Sequence, residues 1–581
     1  MKRNRIRSRI ALMAILILKA LYNKTPKKTA NYHSIVTKDN KIFHQGEVAT
    51  INGVPHLKLS GGYYEVGLQY GVLMREEINR LNKEVRGFFK LGVPWHLKPF
   101  TDFYLTLKLK TMEKRIPKRY REELMGIAQG AGISYNKLLL FPLFPEGLHM
   151  GCTSIIQRIE EGVILARNLD YIPFLGKYPL VVEYDIPGRQ KIVSFGIIGF
   201  PGILTGFNEN GLALSLNHVQ ISRKVKCQDI PIGYKNREIL EVASSLRDVD
   251  DILIKPFQSG TGWEIAIVSN QDKNGSIYGI GTTGVKKQDL GEKTSLIVNN
   301  RFLDKDLRHE NMGILTAGSF RNQGRYESTK EQLEKKKIRK SEDLIDLLAS
   351  VQFYEYNDLE LGLGHYTINN EQTIQSVILD LPKKEACFST GKGYCGLNTY
   401  HKYKYDEGSI MVYKEEVGHL RKEMDAILIR RDKIFKLQMK KNRHQLLNYI
   451  LSLSNPNIYE ISEVTNLAKR LDNKKVLRLL EKSRLKFKNL PQPSINMGKV
   501  LIAEGRIPEG IGLLKEVLDF PYLYPADLVE VNMYLAETCH RIRDYSKSMK
   551  HARTCIGLIE KYYVGPKEQK IIDKMKQYMD K

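Results

Sequence analysis

Cys152 stands in the segment "HMGCTSIIQRIEEGVILARNLDY", with a glycine before it and two hydroxyl residues after it. A thiol in that position can attack the preceding carbonyl in an intramolecular acyl shift. Gly151 offers neither bulk nor backbone stiffness against the strained geometry that such a step needs. Hydrolysis of the Gly151–Cys152 bond would leave Cys152 with a free α-amine. An α-amine has a pKa of about 7.7–8, so near neutral pH it can serve as the base for its own thiol. Nucleophile and base are then one residue, and no histidine partner is required. His218 and His365 are accordingly read as packing or surface residues.

The element that must position this chemistry is a β-hairpin. "CTSIIQRI" and "GVILARNL" are apolar runs joined by a turn at Glu160, Glu161 and Gly162. That turn folds Arg167 and Asp170 back beside Cys152. A cation there favours the thiolate, and a carboxylate can hold the α-ammonium. A lone cysteine is more often a small buried hydrophobe, and "RNLD" alone is more often a strand end with a surface charge pair. The combination across one hairpin is what singles the site out.

Around the hairpin the sequence predicts a layered α+β domain with antiparallel sheets. Further hairpins are read at "YPLVVEYDI"/"KIVSFGIIGF" and within "ILTGFNENGLALSLN", with single strands at "EIAIVSN", "SIYGI", "TSLIVNN", "TIQSVILDL" and "EACFSTG". Helices precede the hairpin in "GGYYEVGLQYGVLMREEINRL" and "YREELMGIAQGAG", and recur at about 238–246, 326–335 and 342–348. From Ser409 onward the apolar spacing is helical throughout. "LIAEGRIPEGIGLLKEVL" and "LAETCHRIRDYSKSMKHARTCIGL" each read as a helical hairpin, loosely tetratricopeptide-like, with an irregular bundle as the alternative. Either is a packing or partner-binding module.

The chain has 581 residues, 42% hydrophobic and 27% charged, with a formal charge of +26. Such a length asks for two or three folding units. The basic residues are dispersed, without the aromatic interleaving or zinc-finger spacing of a nucleic-acid binder, so they read as a solvated surface and no nucleic-acid partner is expected. The six cysteines show no CxxC pattern, which argues against zinc and leaves room for one or two disulfides at most. At the N-terminus, Lys2, Arg3, Arg5, Arg7 and Arg9 precede an apolar run over 10–18. Residues 1–30 are read as a signal peptide or membrane-anchor segment, the alternative being an interfacial amphipathic helix. Membrane association or export follows, with the cytoplasm otherwise.

The motifs together resemble the isopenicillin-N acyltransferase-like family of N-terminal nucleophile hydrolases, relatives of choloylglycine hydrolase and acid ceramidase. The resemblance runs over 45–405 and takes in the two pro-segment helices before residue 151, "GFNENGLALSLN" and "LIVNNRF". It implies a four-layer αββα sandwich, no cofactor or metal, and action on a small-molecule N-acyl amide or acyl donor. Carried over by position, it implies Cys152 as nucleophile and base with Arg167 and Asp170 beside it. It further implies that Asn217 supplies a backbone N–H to the oxyanion, Asn300 a side-chain amide, and Arg325, opening the helix "RYESTKEQL", an active-site guanidinium. Asn299 and Arg301 replace the threonine and histidine that usually flank the asparagine, so either Asn299 or Asn300 could face the site. "YGIGTTG" lacks the glutamate that many relatives carry, which leaves substrate preference open. The expected reaction is hydrolysis or transfer of an acyl group from a linear amide. The alternatives are lipid acyl-ester or phospholipid hydrolysis by the same nucleophile, and a catalytically quiet scaffold.

Overall fold

The computed structural model describes residues 34–36, 40–89, 109, 113–139, 141, 151–222, 229–254, 259–312, 317–357, 360, 367–416, 418–439, 443–465, 473–561 and 564–579. The basic N-terminal segment, Cys227 and His365 lie outside them. Among the described residues no helix is long and apolar enough to cross a membrane.

Two large sheets dominate the described residues up to Lys414. The larger runs through Ile35–Val36, Asn40–Phe43, Gly46–Ile51, Val54–Ser60, Pro179–Asp185, Ile192–Ile197, Thr205–Asn208, Leu212–Val219, Gly262–Ser269, Asn274–Ile280 and Val285–Asp289. The smaller runs through Ser295–Val298, Gly151–Ile159, Gly162–Asp170, Thr373–Asp380, Glu385–Thr390, Tyr400–Lys404 and Ser409–Lys414. The expectation of antiparallel sheets needs one correction: Val54–Ser60 pairs with Pro179–Asp185 in parallel. Between these two strands the chain passes through the first helices and the whole Cys152 hairpin. A parallel neighbour needs a crossover of that kind.

Side chains on the two faces of each sheet set the layering. Val181, Val193, Phe195, Ala213, Ala266 and Val268 of the larger sheet pack against Ile156, Val163, Leu165, Val377, Leu379 and Phe388 of the smaller. The other face of the larger sheet, through Leu57, Leu180, Leu214 and Ile265, carries helices that include Tyr63–Leu73, Lys118–Ala131 and Ile232–Val242. The other face of the smaller sheet, through Ile155, Ile164 and Ile378, carries helix Ser341–Leu348.

The glycines of the first two motifs have a packing cause. A Cβ on Gly67 would fall 2.1 Å from the Glu123 carbonyl oxygen, and one on Gly126 would fall 2.3 Å from that of Tyr64. Gly71 and Gly130 are equally tight, at 2.4 Å from Ile127 O and 2.6 Å from Leu68 O. Helices Tyr63–Leu73 and Lys118–Ala131 therefore cross backbone to backbone, over a seam that tolerates no side chain.

Helices follow only from Gly418. The expectation of helix from Ser409 is corrected, because Ser409–Lys414 closes the smaller sheet against Tyr400–Lys404. The tight turn at Gly408 (φ 53°) starts this edge strand, which buries Ile410 but exposes Met411 and Val412, so its apolar run lacks the alternation that marks a strand. Further on, Pro491–Ala503 turns through Gly505 (φ 87°) into Ile507–Glu516. Pro525–Arg541 turns through Arg543 (φ 62°) into Tyr545–Glu560, whose N-terminus is capped by Asp544.

Candidate active site

Gly151–Ile159 and Gly162–Asp170 form a regular hairpin in which Cys152 faces Leu169 and Ser154 faces Arg167. Cys152 and Arg167 are thus diagonal neighbours on one face of the sheet, a separation a long side chain spans. Arg167 Nη2 donates to Cys152 Sγ at 3.3 Å. The guanidinium is fixed by the larger sheet, donating to Leu216 O at 2.8 Å, to Leu204 O at 3.1 Å, and to Thr205 Oγ1. Cys152 and Arg167 are both buried.

Asp170 lies beside the Gly151–Cys152 backbone and away from the thiol. It pairs with Gly151, so strand alternation sends its side chain to the opposite face from Cys152 Sγ. Arg325 Nη1 and Asn370 Nδ2 donate to its Oδ2 at 2.9 and 3.0 Å, and Thr373 Oγ1 donates to Oδ1 at 2.7 Å. Burial pushes the Asp170 carboxyl up from the ordinary carboxylate range, against the opposing pull of Arg325, Asn370 and Thr373. A Cβ on Gly151 would lie 2.8 Å from Arg325 Nη1 and 3.0 Å from Asp170 Cβ. The Asp170–Arg325 pair therefore flanks the Gly151–Cys152 peptide on one side, and the thiol lies on the other.

Of Asn299 and Asn300, the second lies against Cys152. The Cys152 backbone N–H donates to Asn300 Oδ1 at 2.8 Å, and Arg325 Nη2 donates to the same oxygen. Asn300 Nδ2 donates to His218 O at 2.7 Å. Asn299 turns away and donates to Asn322 O at 2.6 Å. The side chain of Asn217 is engaged within the sandwich, accepting from Ser154 Oγ at 2.7 Å and donating to Val298 O at 3.1 Å. His218 is buried beside Trp263 and Thr261. Cys152, Arg167, Asp170, Asn300 and Arg325 thus gather around one peptide bond, and the Asn217 side chain is held by Ser154, two residues along the Cys152 strand.

Arg325 does not open its helix, as the sequence suggested. The helix spans Ala317–Lys335, because Gly318 and Gly324 are accommodated inside it. Asn322, one turn earlier, accepts from Arg325 Nη2 at 2.8 Å and donates to Asn300 O at 2.9 Å. Sequence reasoning missed Asn322, Asn370, Thr373 and Thr205. Only the i,i+3 spacing of Asn322 and Arg325 on one helix could have signalled any of them. Among the described residues no three His, Cys, Asp or Glu side chains converge as a metal site would require.

The site is a buried cysteine at the head of a strand between two packed sheets, with an arginine on its sulfur and a braced carboxylate behind the preceding peptide. Residues 158–390 match the family model described as Acyl-coenzyme A:6-aminopenicillanic acid acyl-transferase. Over that span the chain is similar to that family, and over parts of its length to the acid ceramidases, as the motifs implied. The matched span holds Arg167, Asp170, Asn217, Asn300 and Arg325 and begins after Cys152. Protein dcd1B of Dictyostelium discoideum is 26% identical over 255 residues, which cover 39% of this chain and 49% of that one. Acid ceramidase of Rattus norvegicus is 31% identical over 219 residues, covering 33% and 54%. That of Mus musculus is 36% identical over 126 residues, covering 19% and 32%. The chain spans about half or less of the length of the first curated relatives it matches. Among solved structures, a Caenorhabditis elegans ortholog of N-acylethanolamine-hydrolyzing acid amidase is 16% identical, covering 40% of this chain and 93% of that one, with a TM-score of 0.29. A mutant of the conjugated bile acid hydrolase from Clostridium perfringens is 13% identical, covering 46% and 97%, also with a TM-score of 0.29.

Proposed function

We propose that the protein is a cysteine N-terminal nucleophile hydrolase or acyltransferase of linear amides, activated by self-cleavage between Gly151 and Cys152. The observation that carries this reading is the Arg167 guanidinium on Cys152 Sγ, with the Cys152 N–H already held by Asn300 Oδ1. In the maturation step Sγ attacks the Gly151 carbonyl carbon, the Gly151–Cys152 C–N bond breaks, and the nitrogen takes up a proton. Water then hydrolyses the thioester, which frees the thiol and leaves Gly151 as a carboxylate. In turnover the α-amine takes the thiol proton as Sγ attacks the acyl carbonyl, and passes it to the departing amine. Water, or a second amine, resolves the acyl-thioester.

In this scheme Arg167 stabilises the thiolate and Asn300 Oδ1 orients the new amine. Asp170 and Arg325 form the wall from which the cleaved Gly151 departs. The Asn217 backbone N–H serves the oxyanion, a contribution worth about 3–4 kcal/mol per donor. We read the two sheets with their helices as the αββα sandwich of this class, extending from Ile35 through the strand that ends at Lys414. The helical hairpins after Gly418 are read as a tetratricopeptide-like partner-binding region, and the basic N-terminus as a membrane-targeting segment. The relatives named for ceramide, N-acylethanolamine and conjugated bile acid point to an N-acyl amide as substrate. The test is a panel of N-acyl amides and phospholipids offered to the mature protein, with mass spectrometry of the peptide that begins at Cys152. An acyl adduct on Cys152 from an N-acyl amide is expected. Labelling by phospholipid alone, or by no donor, would contradict the reading.

A further inference from the structure

Asp170 receives one of its hydrogen bonds from Asn370, and the turn that carries Asn370 is gripped from outside the two-sheet unit. Glu371, the next residue, is buried and paired with Arg431 on helix Gly418–Met439. Arg431 also lies over the Tyr459 ring, 4.6 Å from its centroid. From the other direction, the Asn370 carbonyl accepts the Tyr394 N–H at 2.7 Å. Tyr394 is a buried non-glycine residue held in the left-handed region at φ 47°. Such a conformation persists only where its surroundings over-determine it. Here Met424 and Ile427 of the same helix pack in one cluster with Tyr394. Arg421 donates to the Gly393 carbonyl at 2.7 Å and to that of Lys392 at 3.1 Å. At Gly393 a Cβ would come 2.5 Å from the Glu371 carbonyl oxygen, so the two turns are pressed together.

We infer that helix Gly418–Met439 is a positioning element of the active site. Arg431, through Glu371, and Arg421, through the 392–394 turn, set the Asn370 amide that holds Asp170. This rests on the role given to Asp170 and Cys152 above. It makes the helical C-terminal region part of the catalytic machinery's support, where the sequence alone offered only a packing or partner-binding module.

The test uses the full chain with Arg431→Met, Arg431→Lys, and the charge swap Glu371→Arg with Arg431→Glu. Two quantities are read: the rate of Gly151–Cys152 cleavage, and amide hydrogen exchange over 367–373 and at Tyr171, whose N–H donates to Gln372 O at 2.8 Å. Arg431→Met is expected to slow cleavage by about tenfold or more, the scale of a small misplacement in a catalytic constellation. It should also speed exchange at both places, with Arg431→Lys and the swap recovering most of each loss. Unchanged exchange would overturn the inference, as would faster exchange with cleavage at the wild-type rate, or a swap no better than Arg431→Met. If the wild-type chain does not cleave, the nucleophile reading falls instead. The exchange at Tyr171 then decides the brace by itself.

Discussion

At the scale of single residues, the Asp170–Arg325 pair is the most exposed to test. Both side chains are almost wholly removed from water, 0% and 2% accessible. Asp170→Asn would leave a buried guanidinium without its counter-charge, a change that costs about 3–5 kcal/mol. The expected outcome in urea denaturation is a loss of that size, partly recovered by adding Arg325→Met, which removes the orphaned cation. A loss under about 1 kcal/mol would mean that the pair is solvated and does not form the wall described. Of the site residues, Cys152 and Arg167 were legible because a short hairpin fixes their diagonal contact. Asp170 was legible as a member of the site but not in its orientation, since only the register puts it opposite Gly151. Asn370 and Thr373 lie about 200 residues further on. No local pattern announces partners brought in by a neighbouring strand.

At the scale of elements, the crossing of Tyr63–Leu73 over Lys118–Ala131 depends on four glycines. Gly126→Ala would press a methyl group into the Tyr64 backbone, which cannot move aside as a flexible side chain would. Overpacking of this kind costs about 1–3 kcal/mol, so a lower thermal midpoint is expected, against little change for Gly87→Ala, where a Cβ meets open space. Equal midpoints would show that the helices are not in backbone contact. Most strands and helices could be read from periodicity and turn residues. The failures have physical causes. Glycines inside Ala317–Lys335 read as loop, and the edge strand Ser409–Lys414 read as helix because its apolar run buries so little. The parallel pairing of Val54–Ser60 with Pro179–Asp185 is a long-range choice that local spacing does not encode.

At the scale of the whole molecule, the segments on either side of Gly151 are joined by buried charge. Arg237 donates to both Glu123 oxygens, at 2.8 and 2.6 Å, and to Glu241 Oε1 at 3.0 Å. Tyr63 and Tyr120 hydroxyls donate to Glu241 Oε2. Burial, with Glu241 nearby, pushes the Glu123 carboxyl up to about 7 despite Arg237. A carboxyl raised on folding binds its proton more tightly in the folded state. The stability it lends is therefore complete below the ordinary carboxylate range and is lost as pH climbs through about 7. Urea unfolding of the wild type and Glu123→Gln should show the wild type losing ground to the variant between about pH 4.5 and 7, and no further loss above that. A difference that is constant, or that moves the other way, would place the ionised form in the fold. The same cluster is expected to keep the two segments together after the chain is cut.

The central claim is that Cys152 cuts the chain before itself, and N-terminal sequencing with intact mass measurement on the purified full-length protein tests it directly. The account predicts two fragments that travel together under native conditions, the second beginning at Cys152, and a single intact chain for Cys152→Ala. A wild-type chain that stays whole under every condition, or a cut that Cys152→Ala leaves unchanged, would contradict it.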